Sequence, residues 1–411
     1  MEYIRRSIED IVLKSEKTFK SILVTGARQT GKSTVLQKLF PEKKYVPVDD
    51  PFIEEQAVEQ PEMFMMLNPP PVIYDEVQRA PNLFRYIKIK CDESDERGLF
   101  CLSGSQPLEL MEGVSESLSG RIGIIELSGL SMREIKGDSF NRSFVPTMEY
   151  VQERSKSVKP FDNIWEVIHR GGYPELQNPE VDWSVFYSSY IKTYLERDVR
   201  SLSAVQNLDD FRKFMIAVAA RTGQMINYAN IADEVGKDQS TIKRWLSVLE
   251  ASGIIYLLEP FSSSVLKRAI KTPKVYFRDT GLAAYLTRWL TPETLANGAM
   301  SGAFFETFVI SEILKSYSNR GIDYRYCVSY YRGRDKKKTS ENEINLIIEE
   351  NGTLYPVEIK RNSRVTADQT SAFSVLDGIP DKKRGMGAVI CMCPQPGVLR
   401  ENILQLPVWY I

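Results

Sequence analysis

The sequence of 411 residues contains a single histidine, His169, and five cysteines that follow no regular spacing. Metal centres built on imidazole or thiolate need several such side chains at short spacings, so neither a zinc site nor a redox metal centre is expected. The odd number of cysteines also argues against a disulfide framework. The chemistry of this chain is therefore expected to depend on other side chains.

Long apolar segments and an excess of charge of one sign are also lacking. No apolar run approaches the roughly 20 residues of a membrane-spanning helix, and the first residues lack the apolar core of a secretory signal. The formal net charge is −1, so any contact with nucleic acid must come from a local basic patch. We therefore expect a cytoplasmic protein without a membrane partner.

Short apolar strands alternate with helical patterns over the first 130 or so residues. Continuous apolar strands separated by helices are typical of a parallel sheet covered on both faces. The length predicts several domains. We expect an α/β domain, a linker and helical connector, a winged-helix unit and a C-terminal α/β unit, with bounds at 1–135, 136–205, 206–275 and 276–411.

One loop between a strand and a helix fits the pattern of a phosphate-binding P-loop, or Walker A motif. Glycines let backbone N–H groups turn toward phosphate oxygens, Lys32 neutralises the β- and γ-phosphates, and Ser33 places a hydroxyl on Mg²⁺. The pattern predicts that ATP and Mg²⁺ are bound here. The residues expected to contact the nucleotide are Gly26, Ala27, Arg28, Gln29, Thr30, Gly31, Lys32, Ser33 and Thr34.

A second motif, the acidic strand 72–76, resembles the Walker B partner of such a loop. It is an apolar strand that ends in Asp75 and Glu76. In P-loop enzymes of this layout the first acid orients the hydrated magnesium and the second polarises the attacking water. We expect Asp75 to help hold the metal and Glu76 to be the catalytic base.

Three further residues are candidates for catalysis. Ser105 and Gln106 follow a strand at 99–103 and could sense the γ-phosphate, although a serine before a helix is equally a good N-cap. Arg121 precedes the last predicted strand of the domain and could stabilise transition-state charge on a neighbouring subunit. A surface salt bridge is the alternative for Arg121.

Together these motifs resemble the AAA+ superfamily ATPases of bacteria and archaea that carry a C-terminal domain of unknown function, DUF4143. The resemblance covers nearly the whole chain. It implies ATP binding and hydrolysis, a winged-helix element and a nuclease-like C-terminal fold, and it supplies no cellular role. The tracts that carry it are 26–33, 74–81, 102–106, 118–121, 170–175, 194–198 and 276–282.

Residues 228–253 show the pattern of a helix-turn-helix. The second helix has apolar residues at i, i+3, i+4 and i+7, with Thr241, Lys243, Arg244 and Ser247 on its open face. A strand at 254–258 and the residues 262–268 could form the wing. Such a unit either contacts DNA through this face or packs as a lid without touching DNA.

The C-terminal unit resembles the core of PD-(D/E)XK nucleases in order and spacing. It has a helix with Glu306, a strand expected to end at 343–345, and a strand with Glu358 and Lys360. Asn345 occupies the position where such nucleases carry a metal-binding Asp, so Mg²⁺ should bind poorly. We expect a degenerate nuclease fold, with the basic run 332–338 as a docking surface. A half-buried structural strand explains 355–360 equally well.

Two functions remain open at this stage. The first is an ATP-driven switch, within a homo-oligomer, whose nucleotide state moves the winged-helix and C-terminal units. The alternative is an ATP-gated DNA-binding protein or nuclease.

Overall fold

The computed structural model describes residues 2–105, 114, 117–195, 207–262, 272–334 and 341–411. Four predicted features fall wholly or partly outside these residues. They are Gln106, most of the tract 194–198, the wing residues 263–268 and positions 335–338 of the basic run. Within the described parts, no helix is both long and apolar enough to span a membrane.

The N-terminal unit is built on five parallel strands in the order β2-β3-β4-β1-β5. Side chains of β1 alternate between two cores, with Leu23 in one and Ile22 and Val24 in the other. Both faces are covered, which explains the continuous apolar strands of the sequence. The strands are β1 (Ser21–Thr25), β2 (Lys44–Pro47), β3 (Val72–Asp75), β4 (Phe100–Gly104) and β5 (Ile122–Glu126), and the helices are Glu9–Thr18, Lys32–Leu39, Pro51–Glu59, Pro61–Leu67 and Leu83–Glu93.

A helical segment follows the sheet. Its helices are Met132–Ile135, Met148–Arg154, Ile164–Arg170 and Trp183–Tyr190, with a π-helical turn at Ile191–Leu195. The helix that ends at Arg170 stops at Gly171, which has φ of 83° and where a Cβ would lie 2.4 Å from the hydroxyl of Tyr187. Only glycine fits this close approach. Gly171, which lies in the tract 170–175, is thus required by packing.

The next unit combines three helices with a small antiparallel sheet. Helix Leu208–Ala219 is followed by β6 (Gln224–Met225), and helices Tyr228–Val235 and Gln239–Ala251 come next. Strands β7 (Ile255–Leu258) and β8 (Lys274–Phe277) complete a sheet in the order β6-β8-β7. The expected domain boundary at 275/276 falls inside β8, so this sheet uses residues from both sides of it.

The C-terminal unit is a long helix against a mixed sheet in the order β14-β15-β13-β11-β10-β9. Strand β10 does not end at 343–345 as expected, because it continues to Glu350 through an irregularity between Ile344 and Ile347. Strands β9, β10 and β11 are antiparallel, whereas β13 is parallel to β11. The strands are β9 (Val328–Arg334), β10 (Glu341–Glu350), β11 (Thr353–Lys360), β12 (Lys383–Arg384), β13 (Gly387–Cys391), β14 (Gly397–Arg400) and β15 (Ile403–Pro407), and the helices are Thr280–Leu286, Pro292–Asn297 and Ser301–Ser318, with 3₁₀ turns at Ala367–Gly378.

One hydrophobic core joins the helical segment, the three-stranded sheet and the C-terminal unit, and a smaller separate core lies against the C-terminal sheet. The larger core contains buried side chains from Met132 through the three-stranded sheet to Ile411. The first sheet has its own cores on its two faces. By its packing the chain therefore consists of a parallel-sheet body and one second body.

A buried ion pair fixes the start of the chain to the first helix after the parallel sheet, Met132–Ile135. The Arg6 guanidinium donates to Glu134 (3.0 Å) and to the carbonyls of Thr30 (2.8 Å) and Ser128 (2.7 Å). Burial raises the pKa of Glu134, but Arg6 and the N–H groups of Ser131 and Ser7 outweigh burial and lower that pKa overall. This contribution to stability is therefore present at neutral pH and is lost as the pH falls through the folded-state value.

We predict that Glu134→Gln destabilises the protein by about 3 kcal/mol, because Arg6 is left buried without a counter-charge. The free energy of unfolding should be measured by urea denaturation at several pH values, and the loss should shrink in acid. Glu149→Gln, at an exposed ion pair with Arg142, is the control and should change little. Equal losses in the two variants would contradict the role of the buried pair.

Candidate nucleotide-binding site

The candidate site lies at the edge of the first sheet where all five parallel strands end. The loop after β1, the acids at the end of β3 and the serines at the end of β4 therefore meet there, although they are far apart in sequence. Strand order places β4 between β1 and β3. Every predicted site residue that follows one of these three strands and is described lies at this edge.

The loop after β1 has the backbone that an anion-binding loop requires. Gly26 and Gly31 have φ of 141° and 92°, and Gln29 has φ of 60°. A Cβ on Gly26 would lie 2.2 Å from the carbonyl oxygen of Leu127, so no other residue fits. Helix Lys32–Leu39 begins at the end of the loop, and its first N–H groups point toward the loop, where they suit a phosphate.

Lys32 is buried inside this loop. Its ammonium donates to the carbonyl oxygens of Ala27 (2.9 Å) and Gly26 (3.2 Å), and the hydroxyl of Thr30 also donates to Ala27 (2.9 Å). The charge is thus held inside the loop by two of its carbonyl groups. Of the other predicted contacts, Arg28 is half-buried, while Gln29 and Thr34 are exposed.

Asp75 accepts three hydroxyl donors at the end of β3. Ser33 donates from 2.8 Å to Oδ1, Ser103 also donates to Oδ1, and Tyr45 donates from 2.5 Å to Oδ2. Burial and the bond to Asp75 raise the pKa of Tyr45. The Ser33 hydroxyl and the Asp75 carboxylate are hard oxygens side by side, a set that fits Mg²⁺.

Glu76 is held in an unusual conformation next to Asp75. Its backbone is left-handed, with φ of 52°, which is strained for a residue other than glycine. Its Oε2 accepts from the hydroxyl of Ser105 (2.8 Å) and from the side-chain amide of Gln78. The two contacts aim one carboxylate oxygen toward the end of β4.

Sequence reasoning missed Tyr45, Gln78 and Ser103. Ser103 lies in the tract that drew attention to Ser105, and the alternation along β4 could have placed it toward Asp75. Gln78 is two residues after Glu76. Tyr45 gave no local signal, because only the pairing of β2 with β3 brings it to Asp75.

Arg121 lies away from this site. Its carbonyl accepts from the N–H of Ser21 at the start of β1, so it is at the amino edge of the sheet, opposite the P-loop. Its guanidinium donates to both carboxylate oxygens of Asp92, at 2.5 and 3.2 Å. It cannot reach a nucleotide bound to its own loop, and a role on a second subunit stays a prediction.

The second body reaches the loop directly. Arg278 pairs with Glu126 at the end of β5, and donates to the hydroxyl of Tyr324 (3.0 Å). A Cβ on Gly253 would lie 3.3 Å from the backbone nitrogen of Ala27. Between the two bodies lies a cleft of about 470 Å³. Its lining includes Thr25, Gly26, Glu126, Gly253, Tyr256 and Arg278.

The residues predicted to face DNA lie on helix Gln239–Ala251. Lys243, Arg244 and Ser247 are exposed. Thr241 is half-buried, and its N–H (2.9 Å) and hydroxyl (2.8 Å) both donate to Asp238 at the helix N-cap. Two of the four side chains thus bring positive charge to this open face.

The nuclease-like residues also come together. Glu306 accepts from the hydroxyl of Tyr276 (2.6 Å), and Glu358 pairs with Lys360 (2.6 Å). Burial raises the pKa of Glu358 to about 7 against the opposing effect of Lys360. Asn345 accepts from the N–H of Ile359 (2.9 Å), so its amide oxygen joins β10 to β11.

The parallel sheet, its strand order and the loop after β1 define an α/β fold typical of P-loop ATPases. Comparison with known families agrees with this class. Residues 18–136 match the family described as AAA domain, and residues 301–410 match the domain of unknown function DUF4143. Residues 161–293 match another domain of unknown function, DUF8612. The resemblance to AAA+ ATPases with a DUF4143 domain is thus confirmed.

Two relatives and two solved structures that resemble this chain share between 14% and 26% of its sequence. The chain is 26% identical to the uncharacterized proteins Mb2031c of Mycobacterium bovis and Rv2008c of Mycobacterium tuberculosis, over 87% of this chain and 74% of each relative. Among solved structures, the Walker-type ATPase PABY2304 of Pyrococcus abyssi is 14% identical with a TM-score of 0.43, covering 68% of this chain and 94% of that one. AMPPCP-bound DnaA from Aquifex aeolicus is 15% identical with a TM-score of 0.29, covering 59% and 85%.

We predict that Lys32→Ala weakens the binding of Mg·ATP by about 100-fold, because the phosphates lose a charge-assisted donor inside the loop. Titration with a fluorescent ATP analogue gives the Kd. Lys38→Ala, at an exposed position on the same helix, is the matched control and should leave the Kd unchanged. An unchanged Kd in Lys32→Ala would remove nucleotide binding from this loop.

Proposed function

We propose that this protein is an ATP-binding and ATP-hydrolysing switch whose nucleotide state is passed from the P-loop to the second body. The observation that carries the proposal is the contact between them. Glu126 at the end of β5 pairs with Arg278, and Gly253 approaches the loop at Ala27. A loop that adjusts to phosphate would change both contacts.

The roles of the site residues follow from their geometry. Lys32 and the loop amides hold the β- and γ-phosphates, and Ser33 with Asp75 would hold Mg²⁺, which neutralises phosphate charge when bound. Glu76 is held by Ser105 and Gln78 with one oxygen toward the end of β4. There it orients a water molecule and accepts its proton as the water attacks the γ-phosphate.

The unit between residues 207 and 277 is proposed to be a winged helix. Its order of helix, short strand, two helices and two strands, with β8 between β6 and β7, supports this proposal. Helix Gln239–Ala251 buries one face and leaves Lys243 and Arg244 exposed on the other. These residues are the candidates for contact with a partner.

The C-terminal unit is proposed to be a degenerate nuclease fold without cleavage activity. A helix, three antiparallel strands and a further parallel strand are the order of the PD-(D/E)XK core that the sequence resembles, which supports the fold. Asn345 contributes no negative charge and is engaged with β11. Metal-dependent cleavage lacks its usual carboxylate here.

Assembly into a homo-oligomer is the part of the proposal that depends on Arg121. This arginine lies at the edge of the sheet opposite its own P-loop and its guanidinium is partly exposed. On a neighbouring copy it would have to leave Asp92 to reach a γ-phosphate. In the proposed switch, a second subunit must therefore supply Arg121 to the γ-phosphate.

The coupling is tested in Glu76→Gln, in which we expect ATP to bind without being hydrolysed. ATP should change the hydrogen exchange of residues 250–258 and 274–278, since these lie against the loop. Adding Arg278→Gln should leave the Kd for ATP within about threefold while removing that change. Arg400→Gln, at an exposed ion pair with Asp368, is the control. Hydrogen exchange of these residues that does not change when ATP is added would contradict the coupling.

A second candidate function, DNA binding, is favoured by the exposed basic face of helix Gln239–Ala251. Replacing both Lys243 and Arg244 by Ala should weaken DNA binding about tenfold and lower the salt dependence by about two phosphate contacts. Fluorescence anisotropy at several salt concentrations measures both. Arg212→Ala with Lys213→Ala removes the same charge from another helix as a control. If the wild-type chain binds no DNA at low salt, this helix serves only for packing.

A further inference from the structure

Lys274 is a buried cation at the junction of the three-stranded sheet and the nuclease-like unit. Its side chain is 3% exposed, and its ammonium lies 2.5 Å from Glu343 Oε1 and 3.3 Å from Glu306 Oε1. An ammonium group in such surroundings is retained only where carboxylates compensate the loss of water. The two acids come from helix Ser301–Ser318 and strand β10, so the lysine joins three elements.

The same strand supplies a second contact to this cluster. Tyr276, two residues along β8, donates its hydroxyl to Glu306 Oε1 (2.6 Å). Residues i and i+2 of a strand point to the same face, so β8 presents both donors to one carboxylate oxygen. The Lys274 ammonium also lies 5.5 Å from the ring of Tyr330 on β9, within reach of a cation–π contact.

The remaining polar residues of the nuclease-like set are occupied elsewhere. Glu358 has Lys360 as its own cation at 2.6 Å, and Asn345 accepts from a backbone N–H of β11. A divalent ion would need several anionic oxygens around one point. Here the point between Glu306 and Glu343 already holds a positive charge on a covalently attached side chain.

We propose that Lys274 is a built-in cation that compensates Glu306 of the nuclease-like set together with Glu343, keeps a divalent metal ion from these two carboxylates, and clamps β8 onto this unit. Two of its three N–H donors serve Glu306 and Glu343, whose carboxylates would be available to a divalent ion if the lysine were removed. With the lysine ammonium between them, Glu306 and Glu343 bind no metal ion and serve as a structural joint. The joint goes beyond the proposed ATP switch and does not depend on it.

Strand β8 places the joint and the nucleotide-binding edge at its two ends. Lys274 begins the strand, and Arg278, which pairs with Glu126 beside the P-loop, directly follows its last residue. Four residues of extended chain span about 13 Å. One short strand therefore connects the nucleotide-binding edge to the nuclease-like cluster, and its two ends are fixed by ionic contacts.

The test is a gain of metal binding in Lys274→Met, measured on the full chain without nucleotide. This change keeps a long side chain but leaves Glu306 and Glu343 without their cation. Mn²⁺ at about ten times its Kd should raise the Tm of the variant by about 2 °C, and should leave the wild-type Tm unchanged. Lys382→Met, which removes a partner of Glu349 on the surface, is the matched control and should not respond.

The added substitution Glu306→Gln should abolish the response of Lys274→Met, which assigns the metal to this cluster. A Lys274→Met chain that folds but gives no Mn²⁺-dependent rise would overturn the proposal. A second measurement needs no lysine variant. Mn²⁺ titrated into the wild-type chain and followed by water-proton relaxation should show no site that Glu306→Gln removes. A Mn²⁺ site in the wild-type chain that Glu306→Gln removes would also overturn the proposal, because Lys274 would then not exclude the metal ion. Neither measurement depends on ATP binding, so failure of the proposed switch would not affect this test.

Discussion

Parallel strands must all end at the same edge of a sheet, and the candidate site depends on this constraint. The loop after β1, the acids after β3 and the serines of β4 are separated by up to about 80 residues, yet strand order brings them together. Hydrogen bonds then connect them pairwise, from Ser33 and Ser103 to Asp75 and from Ser105 to Glu76. The chemistry of the site is thus a consequence of topology.

The second body is continuous, although its sequence suggests three separate units. One core runs from Met132 to Ile411, so the helical segment, the three-stranded sheet and the C-terminal unit are packed as one piece. In the proposed switch, a change at the P-loop would act on a single body through contacts that include those of Gly253, Arg278 and Glu134. Such an arrangement favours movement of a whole body over local loosening.

Local patterns predicted the residues of the loop, the acidic strand and the apolar face of helix Gln239–Ala251, because spacing alone encodes these features. Contacts that depend on distant partners could not be predicted. Tyr45 reaches Asp75 only through the pairing of β2 with β3, and Lys274 meets Glu306 and Glu343 across two units. Arg121 illustrates the same limit, since its pairing with Asp92 comes from the helix before β4.

The support of the P-loop has a consequence for the order of folding. The loop comes early in the chain, but the Thr30 carbonyl is held by Arg6, and Arg6 is held by Ser128 and Glu134, about 100 residues later. During synthesis the loop leaves the ribosome well before these partners exist. We therefore expect the loop to gain its supported conformation only after the chain has been extended past residue 134, so that a truncated nascent chain would present the motif without this support.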